Sequence, residues 1–242
     1  MKTLVKNLLA KAGYGLVGIK TFRRLSMPDI LSRSDFFNLY FSRIPDDFFF
    51  VQIGANDGIN HDPLHEYVTK YNLSGLVVEP QPDVFELLRQ NYKHFKKVTC
   101  LNFAVGSTPG KLPFYTVKES TKTPQNFLSV TSLGSFNRDV LVRTLRKQMK
   151  NPEQHIQEIQ VNTITFSELT KNVKKIDFLQ IDCEGYDWEI LKMVDFDKFS
   201  PSIINFENNH LSTQDRQASE ELLTSKGYKF FKYNIDTCAY KV

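Results

Sequence analysis

The sequence predicts an α/β fold in which a mostly parallel, doubly wound sheet is closed by an antiparallel strand. Two observations predict it. Short β-prone runs alternate with helical segments over residues 48–103, and the same alternation returns over 166–242. Glycine or an acidic residue ends or follows four of these runs, at the edge where open α/β sheets bind ligands.

The first half of the alternation begins with a predicted strand over 48–53, which contains three consecutive phenylalanines and stops at Gly54. A helix is predicted over 61–71, with Asp62 as its N-cap and Pro63 at its first position. The elements that follow are a strand over 76–79, a helix over 83–95 and a strand over 98–103. This order indicates parallel strands joined by helical crossovers.

A segment from about residue 107 to 165 interrupts the alternation, and we expect it to be an insertion that forms a lid over the sheet. Its predicted elements are a strand over 112–117, a Ser- and Thr-rich loop over 118–136, a basic helix over 137–149 and a strand over 156–164. After it come a helix over 166–170, a strand over 176–181, a helix over 187–193, a strand over 203–206, a helix over 212–226 and a closing antiparallel pair over 228–233 and 237–242.

The composition is that of an ordinary globular domain, with 41% apolar and 24% charged residues among 242, which excludes a disordered or fibrous chain. The length suits one large domain, predicted over 41–242. The net charge of +4 is far below that of a dedicated nucleic-acid coat protein, so we expect no nucleic-acid partner.

The N-terminal segment, residues 1–40, is predicted to be helical and is rich in basic residues. Its apolar residues recur at helical spacing, namely Leu4, Val5, Leu8, Leu9 and Ala12. Three alternatives stay open: a helix that docks or frays, a helix that contacts a membrane surface through residues 1–24, and a targeting segment. We expect a cytoplasmic protein, with peripheral contact to the inner face of the membrane as the second alternative.

Three cysteines, Cys100, Cys183 and Cys238, are widely spaced and form no CxxC or Cys/His cluster. This pattern predicts neither a structural zinc site nor a disulfide scaffold, and it fits a reducing cytosolic compartment.

A glycine turn follows the first predicted strand. Its residues are Gly54, Ala55, Asn56, Asp57 and Gly58. Glycine lets the chain turn sharply and approach a ligand, because it has no Cβ. Glu79 ends the next strand, 21 residues after Gly58, where an acid either binds both ribose hydroxyls of a nucleoside cofactor or is a solvated acid before Pro80. The turn is not GxGxxG, which argues against NAD and favours a cofactor without a pyrophosphate, such as S-adenosylmethionine.

Four further polar side chains follow two later strands: Asp182, Glu184, Glu207 and His210. Adjacent parallel strands would bring them to one rim. Such a rim is a candidate catalytic site, with His210 as the most natural base near neutral pH, or it holds a divalent cation such as Mg²⁺. The structural alternatives are helix capping by the two earlier acids, an exposed His210, and pairing of Glu207 with a basic lid residue.

Four segments together resemble the FkbM-type methyltransferases: residues 51–58, 78–82, 102–105 and 177–187, the last containing the Asp-Cys-Glu-Gly sequence. The resemblance covers roughly residues 48–242. It implies a Rossmann-like class I methyltransferase fold, S-adenosylmethionine as cofactor, and methyl transfer, in many members to hydroxyl oxygens of sugars or polyketides.

The resemblance also implies roles for individual residues. Those expected at the methionine end of the cofactor are Gly54, Ala55, Asn56 and Gly58, and those expected near its adenine are Asn102 and Ala104. Glu79 is expected to hold the ribose, and the neighbouring Pro80 is also expected to bind the cofactor. Asp182 and Glu184 would face the transfer site. Many family members have an acid where this chain has Gln52, so the cofactor's amino group would fall to Asp57 or Asp182.

The sequence therefore predicts an S-adenosylmethionine-dependent O-methyltransferase that acts on a sugar, a glycan or a related small molecule. Three alternatives are weighed against it. A non-catalytic binding module and a nucleic-acid methyltransferase are the stronger ones, although the Pro-Pro motif of amino methylases is absent. An NAD-dependent oxidoreductase is the weakest, because the glycine turn lacks the pyrophosphate motif.

Overall fold

The structure, a computed structural model, describes residues 33–121, 130 and 133–241. Two compact units divide the chain, residues 1–42 and 43–242. The described part of the first unit contains one helix, α1 (Arg33–Phe41), in which Phe36, Phe37 and Phe41 are buried. The predicted N-terminal helix lies outside the described residues.

The second unit contains a seven-stranded sheet with the order β10-β11-β9-β8-β1-β2-β3. Its strands are β1 (Phe49–Ile53), β2 (Ser74–Val78), β3 (Val98–Leu101), β8 (Phe178–Ile181), β9 (Ile203–Glu207), β10 (Lys229–Tyr233) and β11 (Asp236–Tyr240). Five neighbouring strands are parallel, and β11 is antiparallel to β9 and to β10. The predicted α/β fold with an antiparallel closing strand is therefore confirmed.

Helices follow the strands in the predicted alternation. They are α2 (His65–Tyr71), α3 (Pro82–Asn91), α5 (Phe166–Leu169), α6 (Asp187–Met193) and α7 (Thr213–Ser225). The main core lies on the central strands, whose apolar side chains such as Val51, Ile181 and Ile204 are fully buried. These β-prone runs form buried strands because helices or loops cover both faces of a parallel sheet.

A second sheet is built from residues between β3 and α5, in the order β4-β7-β5-β6. Its strands are β4 (Ala104–Val105), β5 (Gly110–Val117), β6 (Gly134–Ser135) and β7 (Ile156–Ile164). Helix α4 (Arg138–Arg146) follows β6 and is capped by the Asn137 side chain. It buries four apolar residues, three of which, Leu141, Val142 and Leu145, lie in a small core that the helix shares with β5 and β7. The predicted loop over 118–136 is described only in part; it includes the one-turn helix Glu119–Thr121 and β6.

The first predicted helix begins four residues later than expected, at His65. Asp62 does not cap it; its carboxylate instead accepts the Leu64 N–H at 2.7 Å, within a turn in which His61 has a left-handed φ of 59°. None of the helices in the described part of the chain is both long and apolar enough to cross a membrane.

The strand register sets the geometry of the candidate site. Ile53 pairs with Val78 on one side and with Ile181 on the other. Val78 pairs in turn with Leu101, and Ile181 with Phe206. The residues that follow these five form one row across the carboxyl edge of the sheet: Asn102, Glu79, Gly54, Asp182 and Glu207.

Candidate active site

The glycine turn is fixed between the neighbouring strand ends. The N–H groups of Gly54 and Ala55 both donate to the Val78 carbonyl, at 3.0 and 2.9 Å. Gly54 has a φ of +78°, and a Cβ at this position would overlap the main-chain carbonyl oxygen of Asp182. Only glycine fits here, because both the conformation and the space exclude a side chain.

Glu79 is buried beside this turn. Its carboxylate accepts the N–H groups of Asn56 and Gln81, both at 3.0 Å, one on each oxygen. Burial raises the pKa of Glu79 to about 7, against the lowering effect of these two hydrogen bonds. Each carboxylate oxygen keeps a further lone pair with which it can bind a ligand.

Asn102 lies at the next position of the row and joins two segments. Its side-chain amide donates to the carbonyls of Glu79 and Pro80, at 2.9 and 3.1 Å. Ala104, predicted near the adenine, is buried in β4. It packs with Phe114 and Val161 in a cluster of the second sheet that is separate from the core beneath α4.

Asp57 and Gly58 have local roles in the glycine turn. The Asp57 carboxylate accepts the N–H groups of Ile59 and Asn60, at 2.9 and 2.8 Å. A Cβ on Gly58 would lie 2.5 Å from the Tyr92 ring, so a close contact with α3's end requires this glycine. Because Asp57 already holds its own turn, Asp182 is the freer of the two acids considered for the cofactor's amino group.

Gln52 is buried in β1, and a carboxyl reaches it from the loop that follows the glycine turn. This carboxyl belongs to Asp62. Burial raises the pKa of Asp62, and hydrogen bonds from its neighbours, including the Gln52 side chain, oppose that rise. Sequence analysis treated Asp62 as a helix cap, because its spacing from Pro63 is typical of a helix start.

Three of the four predicted rim residues meet at one point. The His210 Nε2 atom lies 3.1 Å from Glu184 Oε2 and 3.5 Å from Glu207 Oε1. The Glu207 side chain is only 4% exposed, and the His210 side chain 12%. Asp182 lies at the adjoining position of the row but is exposed, and no side-chain hydrogen bond joins it to these three among the described residues.

The rim carries concentrated negative charge. Burial, followed by the charges of Glu184 and Asp182, raises the pKa of the Glu207 carboxyl. The Asp182 side chain is open to solvent, but protein surrounds it at longer range; this enclosure, and then the charge of Glu184, raises the pKa of its carboxyl. The rim therefore favours a proton or a cation at this edge of the sheet.

Asp187 holds the main chain at two positions of the rim, a role that the sequence does not predict. It is fully buried, and its two carboxylate oxygens accept the Glu207 N–H at 3.2 Å and the Cys183 N–H at 3.3 Å. Burial raises its pKa to about 7. Asp187 thus ties the loop after β8 to the end of β9. Asp187 is the first residue of α6, where an acid is common because it favours the start of a helix.

The second sheet contributes two further contacts that sequence analysis missed. The Ser135 hydroxyl in β6 donates to the Glu184 carbonyl at 2.8 Å, and Glu184 itself has a left-handed φ of 48°. The buried Gln81 side chain accepts a hydrogen bond from the Thr116 hydroxyl of β5. The second sheet is thereby connected both to the Glu79 side and to the Glu184 side of the row.

This strand order, with a glycine turn after β1 and a buried acid after β2, is that of the Rossmann-like class I methyltransferase fold. Residues 52–230 match the methyltransferase FkbM domain. The chain therefore belongs to the FkbM methyltransferase family, and the resemblance found in the sequence is confirmed. The fold of this family implies S-adenosylmethionine as cofactor.

Comparison with solved structures supports the fold through an FkbM protein. A methyltransferase FkbM from Methylobacillus flagellatus KT superposes with a TM-score of 0.51 at 14% identity, over 82% of this chain and 44% of that one. A precorrin-6y C5,15-methyltransferase from Geobacter metallireducens GS-15 gives a TM-score of 0.44 at 14% identity, over 88% and 92%. This chain thus spans less than half of the solved FkbM protein. No curated protein matches the sequence.

Proposed function

We propose that this protein transfers the methyl group of S-adenosylmethionine to a hydroxyl oxygen of a sugar, a glycan or a related small molecule. One observation carries the proposal: a buried carboxylate suited to a ribose shares a row with an acidic rim that can take a proton. When bound, S-adenosylmethionine supplies a methyl carbon that forms a bond to the acceptor oxygen while its bond to sulfur breaks and leaves the electron pair on sulfur.

The residues of the first half of the row fit this cofactor. Glu79 would accept hydrogen bonds from the two ribose hydroxyls through its remaining lone pairs. Gly54 and Gly58 lie so close to their neighbours that neither position has room for a side chain. The main chain of the turn is therefore open to a ligand at these two glycines. Asp182, whose side chain is exposed, would bind the cofactor's amino group.

The second half of the row would hold the acceptor. The hydroxyl proton would leave to the rim of Glu184, Glu207 and His210, in which the imidazole lies 3.1 and 3.5 Å from the two carboxylates. Alignment of the hydroxyl with the transferred carbon and exclusion of water would supply most of the acceleration. The exposed basic residues of α4, such as Arg138 and Arg143, would favour an anionic acceptor.

Two measurements test the proposal in sequence. Isothermal titration with S-adenosylmethionine should give one site per folded chain. A methyl-transfer screen should then give turnover with glycan, lipid-linked sugar or small hydroxyl acceptors, and none with RNA or DNA. Cofactor binding without turnover on any acceptor would favour a binding module, and turnover on nucleic acid alone would favour the other alternative.

We expect His210→Ala to lower turnover by at least about 100-fold, the lower end of the range for general acid–base groups, while cofactor affinity changes less than about twofold. The reason is that His210 pairs with Glu184 and Glu207, the two carboxylates of the rim. His94→Ala, a change after α3, is the matched control. A parallel loss of cofactor affinity would show that the rim is part of the cofactor site instead.

We expect the affinity for S-adenosylmethionine to fall as the pH drops below about 7. Glu79, with a pKa of about 7, is ionised above that pH and gains a proton below it, and the proton occupies a lone pair that a ribose hydroxyl needs. The dissociation constant should rise towards about tenfold for each pH unit on the acid side. Glu79→Gln should lack this step in titrations from pH 5.5 to 8; an identical step in both proteins would refute the assignment.

A further inference from the structure

The rim residues Glu184, Glu207 and His210 form a compact group of potential metal ligands. One nitrogen or oxygen atom from each lies within 4.8 Å of the other two. Glu184 lies in the loop after β8, Glu207 is the last residue of β9, and His210 lies in the loop after β9. No other group of this kind occurs among residues 33–121, 130 and 133–241.

The spacing of these atoms fits a common metal ion. The His210 Nε2 atom lies 3.1 Å from Glu184 Oε2 and 3.5 Å from Glu207 Oε1. Ligand atoms on neighbouring positions of one ion, with bonds of about 2.0–2.2 Å, lie about 3.0–3.5 Å apart. An ion could therefore enter between these side chains with small rotamer adjustments.

A second, independent observation concerns Glu207. Its side chain is only 4% exposed, and its carboxylate faces His210. Its Oε2 atom is buried and has no hydrogen-bond partner in the described part of the chain. A buried carboxylate oxygen without a partner is costly, and coordination of a cation would remove that cost.

The main chain around the ligands is held in place by other contacts. The Glu184 carbonyl is bound by Ser135, and the Glu207 N–H by Asp187. Supporting hydrogen bonds of this kind orient metal ligands in protein sites. These contacts would exist before the ion arrives, so the site is preorganised.

We propose that Glu184, Glu207 and His210 bind one divalent transition-metal ion through two carboxylate oxygens and one imidazole nitrogen. The imidazole argues against Ca²⁺ and Mg²⁺, which prefer oxygen ligands only, and the two carboxylates suit Mn²⁺ and Zn²⁺. Three protein ligands leave coordination positions open.

The role of the ion rests on the proposed function. An acceptor hydroxyl would occupy an open position, and the ion would lower the pKa of that hydroxyl, as a bound metal does for water. The proton would then leave to solvent, and His210 would act as a ligand. The rim residues would thus promote deprotonation of the acceptor hydroxyl by holding the cation that lowers its pKa.

The test uses the full chain without cofactor and Mn²⁺ as the probe. Electron paramagnetic resonance should show one bound Mn²⁺ per chain, with nitrogen hyperfine coupling from an imidazole in pulsed experiments. Glu184→Gln should weaken binding at least about tenfold, and His210→Gln should abolish the nitrogen coupling. Glu189→Gln, an exposed acid on α6 that pairs with Lys192, should bind Mn²⁺ like the parent. Zn²⁺ should displace Mn²⁺ from the parent.

Two results would overturn the metal site: no bound Mn²⁺ at millimolar concentration, or binding that Glu184→Gln and His210→Gln leave unchanged. Parallel titration with S-adenosylmethionine separates the two proposals. Cofactor binding without Mn²⁺ binding rejects the metal site and leaves the methyltransferase proposal intact. Mn²⁺ binding without cofactor binding supports the site and rejects the role given to it.

Discussion

We expect Glu79→Ala to weaken binding of S-adenosylmethionine by about 100-fold or more. Two hydrogen bonds from ribose hydroxyls to a carboxylate would be lost, and hydrogen bonds to charged groups contribute about 1.5–3 kcal/mol each. The substitution also leaves the N–H groups of Asn56 and Gln81 without their present acceptor, so the turn itself would loosen. Isothermal titration measures the effect directly.

Two variants make this result specific. Glu79→Gln keeps the size of the side chain and one acceptor oxygen, and it should lose less affinity than Glu79→Ala. Glu86→Gln changes a half-exposed acid on α3 that pairs with Arg89, and it should bind like the parent. Circular dichroism would confirm that each variant is folded. Parent-like affinity in folded Glu79→Ala would place the ribose elsewhere.

Much of the fold could be predicted because the signals are local. Short apolar runs that stop at glycine, proline or an acid identify the strands, and the bounds of β7 and α6 match the prediction. The start of α2 could not be predicted in the same way. Asp62 and Pro63 form an ordinary start signal, but the left-handed φ of His61 and the Asp62–Leu64 bond direct the chain into a turn first.

Four members of the row at the carboxyl edge, Gly54, Glu79, Asp182 and Glu207, could be predicted because each ends or directly follows an apolar run. Asn102 is expected only from the family resemblance, since the predicted strand over 98–103 contains it. The supports of the row could not be predicted. Gln81 meets Thr116 35 positions later, and Ser135 meets Glu184 49 positions later. Contacts between segments so far apart depend on the packing of the second sheet, which leaves no periodic signal in the sequence. Asp187 was hidden for a related reason, since a buried acid and a helix-start acid look alike in sequence.

These supports explain why the two halves of the row can work together. Gln81 contacts Glu79 through its main chain and the second sheet through its side chain. Ser135 of that sheet contacts the loop that contains Glu184. The second sheet therefore contacts the row both beside Glu79 and beside the rim. Any change that separates the strand ends should disturb both sides at once.

Gly54→Ala tests this dependence at the centre of the row, and we expect it to lower the free energy of unfolding by about 3–5 kcal/mol. A left-handed φ costs a residue with a Cβ about 1 kcal/mol. The larger part arises because the new Cβ would overlap the Asp182 carbonyl oxygen and push β8 away from β1. The hydrogen bond from the Asp182 N–H to the Ile53 carbonyl, 2.9 Å long, lies at that junction. Urea denaturation measures the loss.

Gly106→Ala is the matched control, because a Cβ there would have no neighbour nearer than 3.8 Å. It is also buried, so it reports what an added methyl group does where space allows. We expect its free energy of unfolding to stay within about 0.5 kcal/mol of the parent. If Gly54→Ala were equally mild, the strand ends would be free to move apart. The fixed row on which both the cofactor site and the rim depend would then be a flexible edge, and neither could be preorganised.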